Sequence, residues 1–158
     1  MPPGETSARA AVAAVCDPEL PSLTLEDLGI LRSVDLDEAG VVQVLLTPTY
    51  SGCPALEVMR EDVLKALRQA GFPKAQVRFT LTPAWSTSMM GPLAKERLNA
   101  LGIAPPTTSS SPIPITLKCP QCGSLRTEEV SRFGATSCKS LWRCLNCLEP
   151  FEHFKALR

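Results

Sequence analysis

Seven cysteines carry most of the reactive chemistry in this 158-residue sequence, and their spacing divides them into two groups. Four of them form two C-x-x-C pairs: Cys119, Cys122, Cys144 and Cys147. A C-x-x-C loop directs two sulfurs at one ion, and two such loops complete a closed tetrahedral site of the kind that holds Zn²⁺. We therefore predict a structural zinc site, with iron as the alternative ion because four thiolates suit either metal. Leu148 stands where such ribbons often have a glycine.

Cys53 stands apart from these pairs, in the segment TPTYSGCPALEVM (47–59). Pro54 suits the first position of a helix, which predicts that Cys53 lies at or next to the N-cap, where free backbone N–H groups favour a thiolate. Gly52 would let the chain turn sharply there. The alternative is a buried, inert cysteine. The single histidine, His153, is remote in sequence, so a Cys–His enzyme is disfavoured and a soft metal is the preferred partner of a Cys53 thiolate.

The remaining chemistry-bearing residues have simpler interpretations. We expect Cys138 to be a small buried residue near a hairpin turn, with a second metal or redox role as the alternative. His153 is expected to pack in the last strand or to face a partner. A thiol redox protein that uses Cys53 with Cys16 or Cys138 is a further class, but no C-x-x-C lies outside the predicted metal site.

Composition narrows the class of protein. The formal net charge is zero and 44% of residues are apolar, which is typical of a globular chain. The sequence has no pattern of a signal peptide or a membrane span, so we expect a cytoplasmic protein with no membrane partner, whose cysteines serve metal or thiol chemistry. Residues 117–158 hold seven Lys/Arg and four Asp/Glu. A zinc ion with four thiolates would cancel about two of those positive charges, so nucleic-acid binding is disfavoured.

The stretch APPTTSSSPIPIT interrupts the chain and predicts a Pro/Ser/Thr-rich linker at residues 105–116. We expect an α+β domain at 1–104 and a four-cysteine β zinc ribbon at 117–158. The second segment is too short to bury a self-sufficient core, so we expect the bound metal to stabilise its fold.

Periodicity in the first domain predicts the order α-β-β-α-β-α. The first helix would have Thr6 or Ser7 as its N-cap and end before Pro18. The strongest helix begins at Pro54, with apolar residues at steps of three and four: Leu56, Met59, Val63, Leu67 and Ala70. In the ribbon, three short segments (RTEEVSRF, SCKSLWRC and PFEHF) predict an antiparallel sheet.

The segments DPELPSLTLEDLGIL, TPTYSGCPALEVM and LTPAW, in this order, resemble the small domain of SufT-like iron–sulfur assembly proteins. The resemblance implies an α+β fold and an iron–sulfur assembly role for the cysteine at position 53. The residues it marks as elements of that loop and its surroundings are Asp17, Glu19, Asp27, Gly29, Thr49, Gly52, Cys53 and Pro54.

With the four-cysteine ribbon added, the whole chain resembles the D-subunit family of the bacterial phenylacetyl-CoA epoxidase system of aerobic phenylacetate catabolism. This implies an accessory or maturation subunit that holds iron or an iron–sulfur cluster transiently through Cys53. The implied partners are the other epoxidase subunits, especially the iron–sulfur reductase component, and a second copy of the chain in a homodimer. The alternative is a structural adaptor with an inert Cys53. The sequence lacks paired E-x-x-H motifs and a dinucleotide-binding glycine fingerprint, so we do not expect it to oxidise the substrate itself.

Overall fold

The computed structural model of the protein describes residues 3–50, 53–106 and 116–155. Its contacts divide the chain into two compact units, Met1–Trp85 and Ser86–Arg158. The helices and strands of the first unit are α1 (Pro3–Ala13), β1 (Leu31–Leu36), β2 (Val42–Leu46), α2 (Leu56–Gln69) and β3 (Ala75–Phe79). Those of the second unit are α3 (Pro92–Ala100), β4 (Ile103–Ala104), β5 (Thr127–Ser131), β6 (Lys139–Cys144) and β7 (Pro150–Phe154), with a short 3₁₀ turn at Thr87–Met89 before α3.

The first unit is a three-stranded sheet in the order β1-β2-β3, and its element sequence confirms the predicted α+β class. Strands β1 and β2 pair antiparallel, as expected of a hairpin. Strands β2 and β3 pair parallel, from Val42 opposite Ala75 to Leu46 opposite Phe79. Parallel neighbours need a crossover connection, which α2 supplies. The segment before α2 therefore starts at the carboxyl end of β2, beside the carboxyl end of β3.

Helix α2 is held to the first unit by the apolar stripe that its sequence predicts. Met59, Val63 and Leu67 are buried on it, whereas the two outer members of the predicted stripe are not: position 56 is partly buried and position 70 is exposed. Gly71 follows with φ 91°, a conformation that glycine adopts without strain. The buried residues of β2 alternate along the strand at positions 42, 44 and 46, which is the predicted inward face. Helix and sheet thus fix both ends of the segment that carries Cys53.

Helix α1 begins earlier than predicted. Its first residue is Pro3, so Thr6 and Ser7 lie inside the helix and the N-cap prediction was wrong. Proline is favoured in the first turn because its missing N–H would be unpaired there in any case. The helix also ends at Ala13, well before Pro18, because the chain turns into a loop.

Trp85 closes the first unit. Its side chain is 3% exposed, and its indole Nε1–H donates a 2.8 Å hydrogen bond to the carbonyl of Leu28. Leu28 lies in the loop between α1 and β1 and is itself buried. One side chain therefore joins the last residue of the unit to an early loop across 57 positions of sequence.

The second unit contains the three predicted antiparallel strands, in the order β7-β6-β5. It also contains a strand that the sequence patterns did not predict, because β4 pairs parallel with β7 through Ile103 and Ala104. By its contacts, the segment from residue 86 to 104 groups with the ribbon. The predicted domain limits at 104 and 117 stay a prediction, and most of the predicted linker at 105–116 lies outside the described residues.

Replacing Trp85 by Phe should destabilise the first unit. The buried Leu28 carbonyl would lose its partner, which costs about 1–3 kcal/mol for a buried acceptor. Urea unfolding of the two proteins measures the difference. An unchanged free energy of unfolding would mean that water or another donor reaches that carbonyl.

Candidate functional site

The four ribbon cysteines converge in the second unit. Their sulfurs all lie within 4.8 Å of one another, with Cys119 and Cys147 at 3.8 Å and Cys122 and Cys144 at 3.6 Å. A tetrahedron with Zn–S bonds of about 2.3 Å separates its sulfurs by about 3.8 Å. The donor set therefore fits a zinc ion held by four thiolates, with no position left for a substrate.

Two similar turns present these sulfurs. In the first, Gln121 N–H donates to Cys119 Sγ at 3.4 Å, and in the second, Asn146 N–H donates to Cys144 Sγ at 3.3 Å. Hydrogen bonds to the anionic form of a ligand favour that form. The backbone of each turn thus favours the thiolate form, which is the form that binds a cation.

The pKa values of the cysteines show why a cation is needed. A backbone hydrogen bond from Ser124, helped by the side-chain amide of Asn146, lowers the pKa of Cys122 to about 6. The Glu149 N–H also lowers the pKa of Cys147, but burial and the three neighbouring sulfurs outweigh it and raise that pKa to about 12. Four sulfurs this close cannot all ionise together unless a metal ion offsets their charge.

The residue that follows each turn has a positive φ: 75° at Gly123 and 68° at Leu148. Glycine tolerates this left-handed conformation, whereas a side chain makes it costlier by about 1–2 kcal/mol. The leucine that departs from the usual ribbon pattern is thus in the conformation that explains why glycine is common there. Its side chain is 69% exposed, so packing within the unit does not offset the strain.

His153 lies on the inner face of the ribbon sheet, opposite Ser140. Ser140 Oγ accepts the indole N–H of Trp142 at 2.9 Å and lies 3.5 Å from His153 Nδ1. His153 is 9% exposed, and its buried Nε2 has no hydrogen-bond partner among the described residues. Burial lowers the pKa of His153 to about 4, so the ring is neutral near pH 7. It packs in the sheet, in agreement with one of the two predicted roles.

Cys53 lies in a turn just before α2 and is partly buried. Its N–H donates to the Tyr50 carbonyl at 3.2 Å, and its own carbonyl accepts the Leu56 N–H at 3.4 Å. Helix α2 begins at Leu56 with Ala55 as the N-cap, so the prediction that Cys53 is at or next to the N-cap was wrong. The reason is that Pro54 lies in a separate turn rather than in the first helical turn. The sulfur still belongs to the loop at the carboxyl end of β2.

Two buried polar atoms lie near the same edge of the sheet and were missed by sequence reasoning. Thr47, the first residue after β2, is fully buried, and its Oγ1 has no hydrogen-bond partner among the described residues. Arg60 lies on the first part of α2, with its guanidinium 5.3 Å from the centre of the Phe79 ring, and its Nε is likewise without a partner there. The position of Thr47 directly after a buried strand was the available signal. Loops at the carboxyl ends of parallel strands commonly bind ligands.

The other predicted loop residues have mostly structural contacts. The Asp17 carboxylate accepts the backbone N–H groups of Glu19 and Leu20 at 2.8 and 3.0 Å. The Thr24 N–H donates to the Asp27 carboxylate at 3.1 Å, and the Asp27 N–H donates to Thr24 Oγ1 at 3.0 Å.

These contacts shape the loop between α1 and β1, where Gly29 has φ 72°. Thr49 is partly buried and Pro54 is exposed, while Gly52 lies outside the described residues. The predicted roles of these residues beside Cys53 stay a prediction.

The two remaining cysteines lie in different units. Cys16 is exposed beside an open groove of about 550 Å³ between α1 and α2. Cys138 precedes β6 in the ribbon unit and is partly buried, with its sulfur 3.0 Å from Thr136 Oγ1. Cys138 lies beside a turn, as expected, but it is partly buried rather than buried.

Comparison with known proteins identifies the family. An Escherichia coli K12 protein, the D subunit of a "Putative 1,2-phenylacetyl-CoA epoxidase", is 43% identical over 99% of this chain and 95% of its own length. The chain belongs to this D-subunit family. A family model described as the PaaD zinc beta ribbon domain matches residues 104–155 of the chain. The ribbon is therefore a metal-binding zinc-ribbon domain, and its four cysteines are the metal-binding group.

The first unit of this D-subunit family member matches a second family model, described as iron-sulfur cluster assembly protein, over residues 5–79. The Fe-S protein maturation auxiliary factor YitW of Bacillus subtilis is 35% identical over 59% of this chain and 88% of its own length. A crystal structure of a DUF59 domain from Bacillus anthracis has a TM-score of 0.56 and 31% identity, covering 60% of this chain and 91% of that one. The predicted resemblance to an assembly-type domain followed by a ribbon is confirmed.

Across the described ranges 3–50, 53–106 and 116–155, the helices are too short or too polar to cross a membrane.

Removing the metal should unfold the ribbon and leave the first unit folded. The sequence has two tryptophans, so a Trp85→Phe chain reports on the ribbon through Trp142 alone. A chelator should shift its fluorescence to longer wavelength, and one equivalent of Zn²⁺ should restore it, because structural zinc contributes on the order of 10 kcal/mol to folding. A spectrum that is unchanged after verified metal loss would contradict a structural role.

Protonation of His153 should destabilise the ribbon at acidic pH. Because its folded pKa is lowered to about 4 from 6.5, the stability contributed by the neutral ring is present above about pH 6.5 and is lost as the pH falls toward 4. Metal loss would act in the same direction, so the comparison is with His153→Phe, which keeps the metal ligands. The stability of wild type relative to this variant should fall between pH 7 and pH 4.5 in excess zinc. A constant difference would show that the ring is hydrated.

Proposed function

We propose that this protein is a non-catalytic accessory subunit of a phenylacetyl-CoA epoxidase system. In this role it assists iron–sulfur cluster or iron assembly in the complex through Cys53. The observation that carries the proposal is the combination of parts in one chain. A domain similar to iron–sulfur maturation factors has a partly exposed cysteine at the carboxyl edge of two parallel strands, a zinc ribbon follows it, and the whole chain is similar to the D-subunit relative.

The ligand set at Cys53 suits a cargo that is handed on. Iron–sulfur clusters are generally held by four protein ligands, usually cysteines. Cys53 supplies one sulfur, so the rest of the cargo's ligands would come from elsewhere, including Cys53 of a second copy. An incompletely held cluster exchanges ligands readily, as transfer to a client requires. Thr47 Oγ1 and Arg60 Nε, both buried without a partner in the described part of the chain, add polar groups near this edge.

The ribbon serves a different purpose in this proposal. Its four sulfurs fill the coordination of one ion, so the metal has no open position for chemistry and its role is to hold the fold. The folded ribbon then provides a surface for other epoxidase subunits, with the iron–sulfur reductase component as the expected client. The chain itself would perform no oxidation.

The test is metal and acid-labile sulfide analysis after anaerobic iron–sulfur reconstitution. It compares wild type, Cys53→Ser and the control Cys16→Ser, which removes an exposed thiol from the same unit. Wild type and Cys16→Ser should hold zinc together with iron and sulfide, whereas Cys53→Ser should hold zinc alone. The reductase component produced with Cys53→Ser should contain severalfold less cluster than with either other chain.

Equal iron and sulfide in all three chains, with normal cluster content in the reductase, would refute the role of Cys53. A tight stoichiometric complex that is insensitive to Cys53→Ser would then assign the chain to a structural adaptor.

A further inference from the structure

Three exposed leucines belong to the metal-binding end of the ribbon. Leu125, Leu145 and Leu148 are 62%, 38% and 69% exposed, and we call them the leucine patch. Leu125 follows the first cysteine turn, Leu145 is inside the second, and Leu148 follows the second. Adjacent apolar side chains left in water are a common feature of sites that bind other proteins.

Backbone hydrogen bonds bring these positions together. The Leu145 N–H donates to the Arg126 carbonyl at 2.7 Å, which places the second turn beside the residue next to Leu125. Just past the second turn, the Cys144 N–H donates to the Glu149 carbonyl at 3.0 Å, and this hydrogen bond holds Leu148, the residue before Glu149, close to the turn. Since the metal ties the two turns together, the patch is held on a rigid base.

The ribbon does not need a leucine at position 148. Its φ of 68° is one that glycine adopts without strain, and Gly123 has φ 75° at the corresponding place in the first turn. The leucine is strained and mostly exposed, so it contributes little to the stability of its own unit. When packing within the unit does not offset the backbone strain of a residue, that strain points to a functional role for the residue.

The charges beside the patch indicate which occupant fits. Lys118 and Arg126 are exposed there, Glu149 adds one exposed carboxylate, and Arg143 is paired with Glu128. A polyanionic surface such as nucleic acid would meet the negative metal–thiolate centre and gain nothing from three leucines.

A second copy of the chain would bring two surfaces of net positive charge together, because Lys118 and Arg126 outnumber Glu149 beside the patch. Three partly exposed leucines also provide far less than the roughly 800 Å² per partner that a stable interface buries. The patch therefore fits as an anchor within a larger interface with a different protein.

We propose that the leucine patch inserts into an apolar pocket of a client protein, with Arg126 paired to a carboxylate on the rim of that pocket. That this client is the iron–sulfur reductase component rests on the proposed function. Buried apolar anchors flanked by an arginine are typical of the residues that dominate binding energy at protein interfaces.

The test measures binding of the full-length, zinc-loaded chain to the purified reductase component by titration calorimetry. Leu148→Gly is the key variant, because it removes the side chain and relieves the strained backbone, so it should unfold at a urea concentration no lower than wild type. Leu148→Gly and Leu125→Ser should each weaken binding at least tenfold. Arg126→Glu should weaken it and reduce its dependence on salt. The control Val130→Ser, at a residue that is 57% exposed on β5 and outside the patch, should stay within twofold of wild type.

Wild-type affinity in all patch variants would overturn the proposal, as would the absence of binding by wild type. A loss of self-association by sedimentation, with unchanged reductase binding, would assign the patch to a second copy. A loss of binding to phosphatidylcholine–phosphatidylserine vesicles instead would assign it to a lipid surface.

Cys53→Ser separates this inference from the proposed function. It should bind the reductase like wild type and fail only in cluster loading. If it loads normally while Leu148→Gly fails to bind, the patch stands and the role of Cys53 falls.

Discussion

Mutual repulsion among four sulfurs is the constraint on which the second unit depends. The cysteines lie close enough that they cannot all carry charge without a cation, and the segment around them is too short to fold on apolar burial alone. A metal held there would therefore supplement the small apolar core formed by Ala104, Leu117 and Phe151. The two turns present the sulfurs at distances that suit a tetrahedral ion, and β6 and β7 flank the second turn.

The first unit does not depend on its cysteines for stability. Its sheet and α2 are stabilised by ordinary apolar packing, and Cys53 lies at the edge of that packing rather than at its centre. A closed set of four ligands resists exchange, whereas a single cysteine leaves most of a metal's ligands to be supplied by other molecules. Under the proposed function, one chain thus combines a cysteine set suited to retaining a metal with a single cysteine, Cys53, suited to releasing one.

The features that follow from local pattern could be predicted from the sequence. The apolar spacing of Met59, Val63 and Leu67 defined α2, and the C-x-x-C pairs defined the metal-binding group. Features that depend on competing local geometries could not. Pro54 was compatible with either a helix start or a preceding turn, and only the folded chain selects the turn. Strand β4 was missed because two residues carry no periodic signal, and its pairing with β7 is decided by contacts distant in sequence. Nor could the sequence show that the buried Thr47 hydroxyl has no partner among the described residues, since that depends on how the chain packs.

The joining of both units in one chain has a kinetic consequence. If the ribbon holds a client, every later encounter between Cys53 and that client takes place within one complex, so its frequency no longer depends on the cellular abundance of either protein. A ribbon that holds a client would therefore favour repeated delivery to that one recipient.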